Sequence, residues 1–394
     1  MLIYDKIWYS NLLLQEEIQQ TADEGAITID EWNEIKAAYP IGFYSTGIAG
    51  RVGLFLLTLF ISMVGCLLLS LLLEPFKLVE HSGWFFFLGI LNYLSLEFIV
   101  QKEKHFRSGV DDALLYIAFG LVSGSVYWAM EKQSDASLYN SAFMLLLSTL
   151  LTLRFNDRVM AAISYVSAFA FVFFTWQKLG SFGLTTMPLL LIFMSALIYR
   201  CMRKIKMLQS ARFYGKVILY LEVLSLLTFY LSGNYYVVKE LNDMLHGKVS
   251  DSIPFAWVFW LWTILLPVAY LINGIKNKSV LFIRSGMFLL LLAVLTIRNY
   301  YHLMPIELVL SLSGALMLIL CWGINKYLPI SNTSFTLNEK PRTSEIDHLN
   351  LESIIIAETM SKGGSIQQHI ADKGTESSRF GGGSFGGGGA GSDF

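Results

Sequence analysis

The stretch Val52–Leu73, VGLFLLTLFISMVGCLLLSLLL, decides the fold, because it runs for 22 residues without one charged side chain. At about 1.5 Å per residue, a helix of that length crosses the roughly 30 Å of hydrocarbon in a bilayer. Nine more apolar stretches follow, near Trp84–Val100, Ala113–Met130, Leu138–Leu153, Val159–Trp176, Gly183–Tyr199, Val217–Tyr236, Ile253–Ile272, Val280–Ile297 and Ile306–Ile324. Strands of a membrane barrel alternate polar and apolar residues over about ten positions, whereas these runs are continuous and therefore predict helices. The fold class is all-α, a polytopic transmembrane helical bundle of about ten spans over residues 51–328.

Composition agrees. A soluble domain rarely carries 54% hydrophobic residues with only 15% charged, and the surplus belongs in lipid. Trp84, Trp128, Trp176, Trp257 and the pair Tyr300 and Tyr301 fall at predicted span ends, where amphipathic rings favour the headgroup layer. Cys66, Cys201 and Cys321 form no C-x-x-C pair and read as small apolar residues. The six histidines show neither His-x-x-x-His nor His-Glu-x-x-His spacing, and no Ser, Cys or Lys stands in a nucleophile motif. No catalytic, cofactor-binding or metal-ligating residue is assigned.

Positive charge gives an orientation. Of the 29 Lys and Arg residues, 22 fall on the side of the N-terminus and 6 on the other, with Arg284 left inside a span. Cytoplasmic flanks are enriched in Lys and Arg, so both termini are expected in the cytoplasm, with the bundle in a plasma membrane. The richest loop, Arg200–Lys216, carries six of these charges and is expected to lie on anionic lipid, each cation contributing about 1 kcal/mol. Nucleic acid is not an expected partner, because the orientation already accounts for the charge. The first apolar run follows some fifty largely polar residues, so the N-terminus is expected to be retained rather than cleaved as a signal peptide.

Residues 1–50 hold eight acidic groups against Lys6 and Lys36. Leu12, Leu13, Leu14 and Ile18 lie on a helix-like run that Gly25 closes, and Thr28 with Glu31 has capping-box spacing for a second helix ended by Pro40. A cytosolic helical hairpin is predicted. Its turn, Glu24-Gly25-Ala26-Ile27-Thr28 with Trp32 following, resembles the hairpins that open a family of uncharacterised bacterial multi-span membrane proteins. It also resembles short bacterial helical modules with a Gly-x-Ile-Thr turn. The resemblance covers about one-tenth of the chain and implies a bacterial origin without an activity.

Residues 329–394 are polar, with a short helix expected over 345–361, where Ser344 and Asp347 have capping spacing. The glycine-rich end, 374–394, cannot pack a core and is expected to be disordered. Its run Arg379-Phe380-Gly381-Gly382-Gly383-Ser384-Phe385 resembles the tails of bacterial membrane-tethered proteins that carry a TPM-type phosphatase-like domain. That domain is absent from this sequence, so no phosphatase residue or activity carries over.

Ionisable groups inside hydrocarbon cost about 2.5–3.5 kcal/mol near a helix centre and point to function. Glu97, Asp111, Asp112, Glu222 and Arg284 all fall in the cytoplasmic third of their predicted spans, and a polar vestibule lined by them is one expectation. Snorkelling to the headgroups, or a purely structural ion pair, explains the same charges. Glu222, Ser225, Thr228 and Ser232 share about a third of one helix circumference, which makes Glu222 the strongest pathway candidate. Gly120 and Gly124 form a Gly-x-x-x-Gly pair suited to close helix packing, and Pro267 is expected to bend its span. Three function classes follow: a transporter or channel, an interaction or envelope-associated protein working through hairpin and tail with a cytosolic partner, and an intramembrane enzyme.

Overall fold

The computed structural model describes residues 2–23, 28–247 and 253–301, together with seven separate residues between 311 and 323. Twelve α-helices lie among these described residues: α1 (Lys6–Asp23), α2 (Ile29–Ala38), α3 (Ile48–Leu72), α4 (Ser82–Lys102), α5 (Val110–Met130), α6 (Ala136–Phe155), α7 (Arg158–Gln177), α8 (Ser181–Lys206), α9 (Gly215–Leu231), α10 (Tyr235–His246), α11 (Ala256–Lys276) and α12 (Val280–Tyr301). Nine of them, α3 to α9 with α11 and α12, are long and apolar enough to cross a membrane. The protein is an integral membrane protein of all-α fold. The stretch Ile306–Ile324, the short helix at 345–361 and the glycine-rich end lie outside the described residues, apart from the few separate positions in the first.

Short connections pair the helices in order. The most extensive interfaces are α4 with α5, α6 with α7, α8 with α9 and α11 with α12, as expected when neighbours in sequence are joined by tight turns. The α6–α7 turn is only Asn156 and Asp157. Asn156 takes the left-handed conformation at φ 52°, and the Asp157 carboxylate caps α7 by accepting the Met160 N–H at 2.7 Å. Successive hairpins then touch through α5 on α6, α7 on α9 and α9 on α12, while α3 packs on α5.

Within the spans, hydroxyls bond back to their own helix. Ser123 donates to Phe119 O, Thr152 to Ser148 O and Thr263 to Phe259 O, all at 2.7 Å. Hydrocarbon offers these groups no other partner.

Three details differ from the sequence expectations. The seventh span stops at Leu231 rather than reaching Tyr236, because Asn234 caps a new helix, its side-chain oxygen accepting the Tyr236 and Val237 N–H groups. Its amide also donates to Tyr230 Oη and Thr296 Oγ1, which fixes the break between α11 and α12 neighbours. Gly120 and Gly124 face open space among the described residues; the close α4–α5 approach passes instead over Gly89, where a Cβ would lie 2.6 Å from the Val122 side chain. Trp84 does not face the headgroups, being buried with its indole N–H donating to Ser70 Oγ at 2.8 Å. Pro267 sits fully buried inside α11, and Pro188 occupies a similar interior place in α8.

Gly109 has φ 94°, and a Cβ there would lie 2.1 Å from Arg51 O. Gly109→Ala should therefore lose at least about 1–3 kcal/mol of stability, read as a lowered melting temperature in detergent. Gly120→Ala and Gly124→Ala, with open surroundings, should stay within about 0.5 kcal/mol of the parent.

Candidate functional site

The N-terminal segment does not stand apart from the bundle. Thr28 and Glu31 form the reciprocal capping box of α2, and the Glu31 carboxyl is held below its ordinary value by the Thr28 backbone and hydroxyl hydrogen bonds. Asn11 and Gln15 of α1 donate to Pro40 O and Tyr39 O, closing α1 onto the chain that leaves α2. This folded segment covers the α4–α5 loop, the α6–α7 turn and the start of α9.

Its contacts centre on Phe106. The rings of Tyr4, Phe43 and Tyr9 lie 4.9, 5.1 and 5.6 Å from that ring, and Tyr9 also meets Phe213 at 5.8 Å. Aromatic pairs of this kind contribute about 0.5–1.5 kcal/mol each beyond area burial. Polar bonds set the register: Ile3 N–H donates to Arg154 O at 3.0 Å, Tyr44 N–H to Lys104 O and Phe106 N–H to Tyr44 O at 2.9 Å. Asn156 donates to Tyr9 Oη at 2.7 Å, and Lys216 pairs with Glu16 at 2.6 Å. Burial raises both the Tyr4 and the Tyr9 hydroxyl above the ordinary value, so both stay neutral.

Beneath this cover lie most of the acids singled out in the sequence, and each already has donors. Asp111 accepts from Arg107 N–H at 2.7 Å, Ser108 N–H at 2.9 Å and Ser108 Oγ at 3.0 Å. Asp112 pairs with Arg51, whose Nη2 and Nε lie 2.7 and 2.9 Å from one carboxylate oxygen. Both acids open α5, where the helix dipole favours negative charge. Tyr116 donates to Asp157 at 3.2 Å beside them. Glu97 accepts from Tyr93 Oη at 2.5 Å and Arg154 Nε at 2.6 Å. Arg51, Tyr116, Arg154 and Asp157 were not singled out in the sequence; each partner lies between 41 and 61 residues away from its acid or phenol.

Glu222 is different. It is only 2% exposed, and among the described residues no cation lies within ion-pair distance of its carboxylate. Arg203 and Lys206 stand on α8, and their charges act on Glu222 from further off. Ser225, Thr228 and Ser232 continue one buried or half-buried face of α9 away from it. Thr228 bonds the Tyr165 hydroxyl of α7, and Tyr165, Thr228 and Ser232 then line a cleft of about 270 Å³ between α7, α8, α9 and α10. Arg284 lies exposed near the start of α12. The five charges thus occupy separate settings rather than one cluster. Among the described residues no group of three His, Cys, Asp or Glu side chains is placed to hold a metal ion.

No family model matches the chain, no curated protein resembles it in sequence and no solved structure resembles it in fold. Its class is that of a polytopic helical membrane protein, defined by the nine long apolar helices among the described residues.

Removing Arg51 leaves Asp112 under the N-terminal segment without its cation. Arg51→Ala should lower stability by about 1.5–3 kcal/mol, and Arg51→Ala with Asp112→Asn should recover most of it, both measured by thermal melting in detergent.

His105 reports on the docked segment, since its ring lies 4.7 Å from Tyr44 and its Nδ1 2.8 Å from Ser108 Oγ. Burial pushes this imidazole below its ordinary 6.5, with Asp111 and Glu103 pulling the other way. The undocked chain therefore binds the proton first, and stability present above that value is lost as pH falls toward the depressed one. Proteolysis of residues 2–44 should be faster at about pH 5.5 than at about pH 7.5, and His105→Gln should flatten the difference.

Proposed function

We propose that this is a transporter- or channel-like protein of a bacterial plasma membrane, with the N-terminal segment and the basic stretch Arg200–Lys216, from the end of α8 to the start of α9, on the cytoplasmic side. One observation carries the reading. Glu222 is buried among protein and, among the described residues, has no cation within ion-pair distance, while Glu97, Asp111 and Asp112 are each held by donors that account for them. An ionisable group in a span without a structural partner marks a pathway before it marks a scaffold. The path runs from the Arg203 and Lys206 rim past Glu222 along Ser225 to Thr228, where in this conformation the Tyr165–Thr228 contact closes it before the apolar cleft. The positive-charge bias supports the orientation.

The test needs no known substrate. In a background with Cys66, Cys201 and Cys321 replaced by Ser, cysteines at Glu222, Ser225 and Thr228 are challenged with a membrane-impermeant thiol reagent in inverted vesicles. Labelling at Glu222→Cys and Ser225→Cys is expected from the cytoplasmic side, more slowly than at a restored Cys201 because both positions are buried while Cys201 is exposed. Silence at all three from both sides, with Cys201 still reactive, removes the pathway.

A second reading has its own observation. Asp30, Glu31 and Glu34 of α2 are exposed on a helix that packs chiefly on α1, and an acidic face of this kind suits a basic cytosolic partner. On that reading the effect of the protein in cells is lost when α2 charges are reversed and kept in Glu222→Gln.

A further inference from the structure

The cleft between α7, α8, α9 and α10 has a chemistry of its own. Its walls are Val166 and Phe169 of α7, Pro188 and Leu191 of α8, Leu231 of α9 and Leu241 of α10, together with three hydroxyl-bearing residues. None of the three hydroxyls is offered to an occupant. Ser232 donates to Thr228 O, Thr228 to Leu224 O, and Tyr165 bonds Thr228. What remains is a hydrocarbon-walled space of about 270 Å³.

Water does not suit it. A water takes about 30 Å³ in the liquid and needs two to four polar partners, and apolar cavities stay dry. A drug-sized solute does not suit it either, since such ligands fill about 300–1,000 Å³ and orient on polar groups. The mouth points to the occupant. Val166 and Leu189, beside it on α7 and α8, are 63% and 64% exposed in segments that cross the membrane, so the cleft opens sideways into hydrocarbon. The amphipathic α10 closes one end with Val237, Val238 and Leu241, while Lys239 and Glu240 on the same helix turn elsewhere.

We propose that the cleft binds one acyl chain of a bilayer phospholipid. The chain gains wall contacts on four helices rather than freedom from water, because the surrounding lipid is equally apolar. The binding goes beyond the transport reading and does not depend on it.

The full chain in detergent-free nanodiscs, with a phosphatidylglycerol carrying a photoreactive diazirine in one tail, provides the test. Adducts mapped by peptide mass spectrometry are expected to concentrate on Phe169, Leu191 and Leu241. Leu191→Trp, which fills the space, should abolish the Phe169 and Leu241 adducts, while Phe193→Trp on the lipid-facing side should keep them. Adducts spread evenly over Leu189, Phe193 and other lipid-facing residues overturn the proposal, as does unchanged labelling in a folded Leu191→Trp protein. Should that variant fail to fold, the wild-type map and Val237→Trp, which enters from α10, decide in its place. A diazirine fatty acid that labels the same three residues undiminished by excess phospholipid overturns the phospholipid assignment. Cysteine labelling along α9 can fail without affecting any of these results.

Discussion

Hydrocarbon supplies no hydrogen bonds, and that constraint arranges everything else in this molecule. It makes the spans helical, turns Ser and Thr hydroxyls back onto their own helices, and drives charge to the span ends, where partners exist. The consequence is asymmetric here. Arg51–Asp112, Glu97–Arg154 and the donors around Asp111 all collect at the face that carries the N-terminal segment. By satisfying one another, they leave the segment little to supply except aromatic faces and a few well-placed donors.

The α4–α5 loop shows how this is achieved. Lys104, Arg107 and Gly109 all have positive φ within six residues, a costly density of left-handed backbone for two non-glycine residues. Asp111 offsets that cost by accepting the N–H groups of Arg107 and Ser108. The tight fold of the loop places Phe106 at the centre of the Tyr4, Tyr9 and Phe43 rings. A carboxylate at a helix start thus positions the hub on which the whole N-terminal segment docks.

Residues close in sequence were readable for what they do, and residues brought together from afar were not. Hydrophobic run length placed the nine described spans because it depends on neighbours alone, and the Thr28–Glu31 box was readable for the same reason. The α9–α10 break carried a local signal, Ser232-Gly233-Asn234, that the apolar Tyr235-Tyr236-Val237-Val238 run overrode. Position along a helix was readable for Glu97, Asp111 and Asp112 but not for Glu222, which lies about halfway along Ala211–Leu231 because the span starts and stops earlier than its apolar run. Which charges meet was not readable, because Arg154 and Arg51 reach their acids from other helices. Acid content in residues 1–50 drew attention to solvent-facing groups, whereas Tyr4 and Tyr9, which do the docking, looked like ordinary aromatics. Gly-x-x-x-Gly spacing likewise says which residues are small and not which face meets a neighbour.

Glu222 escapes the explanation that covers the other acids. A snorkelling carboxylate leaves the protein to reach headgroups, yet Glu222 is buried by its neighbours. A structural ion pair brings a cation within contact, yet Arg203 and Lys206 act on it only from a distance. The cationic edge of α8 acts on the carboxylate without closing an ion pair on it. An apolar side chain of similar volume at Glu222 would relieve a desolvation cost, as replacement of a buried charge often does.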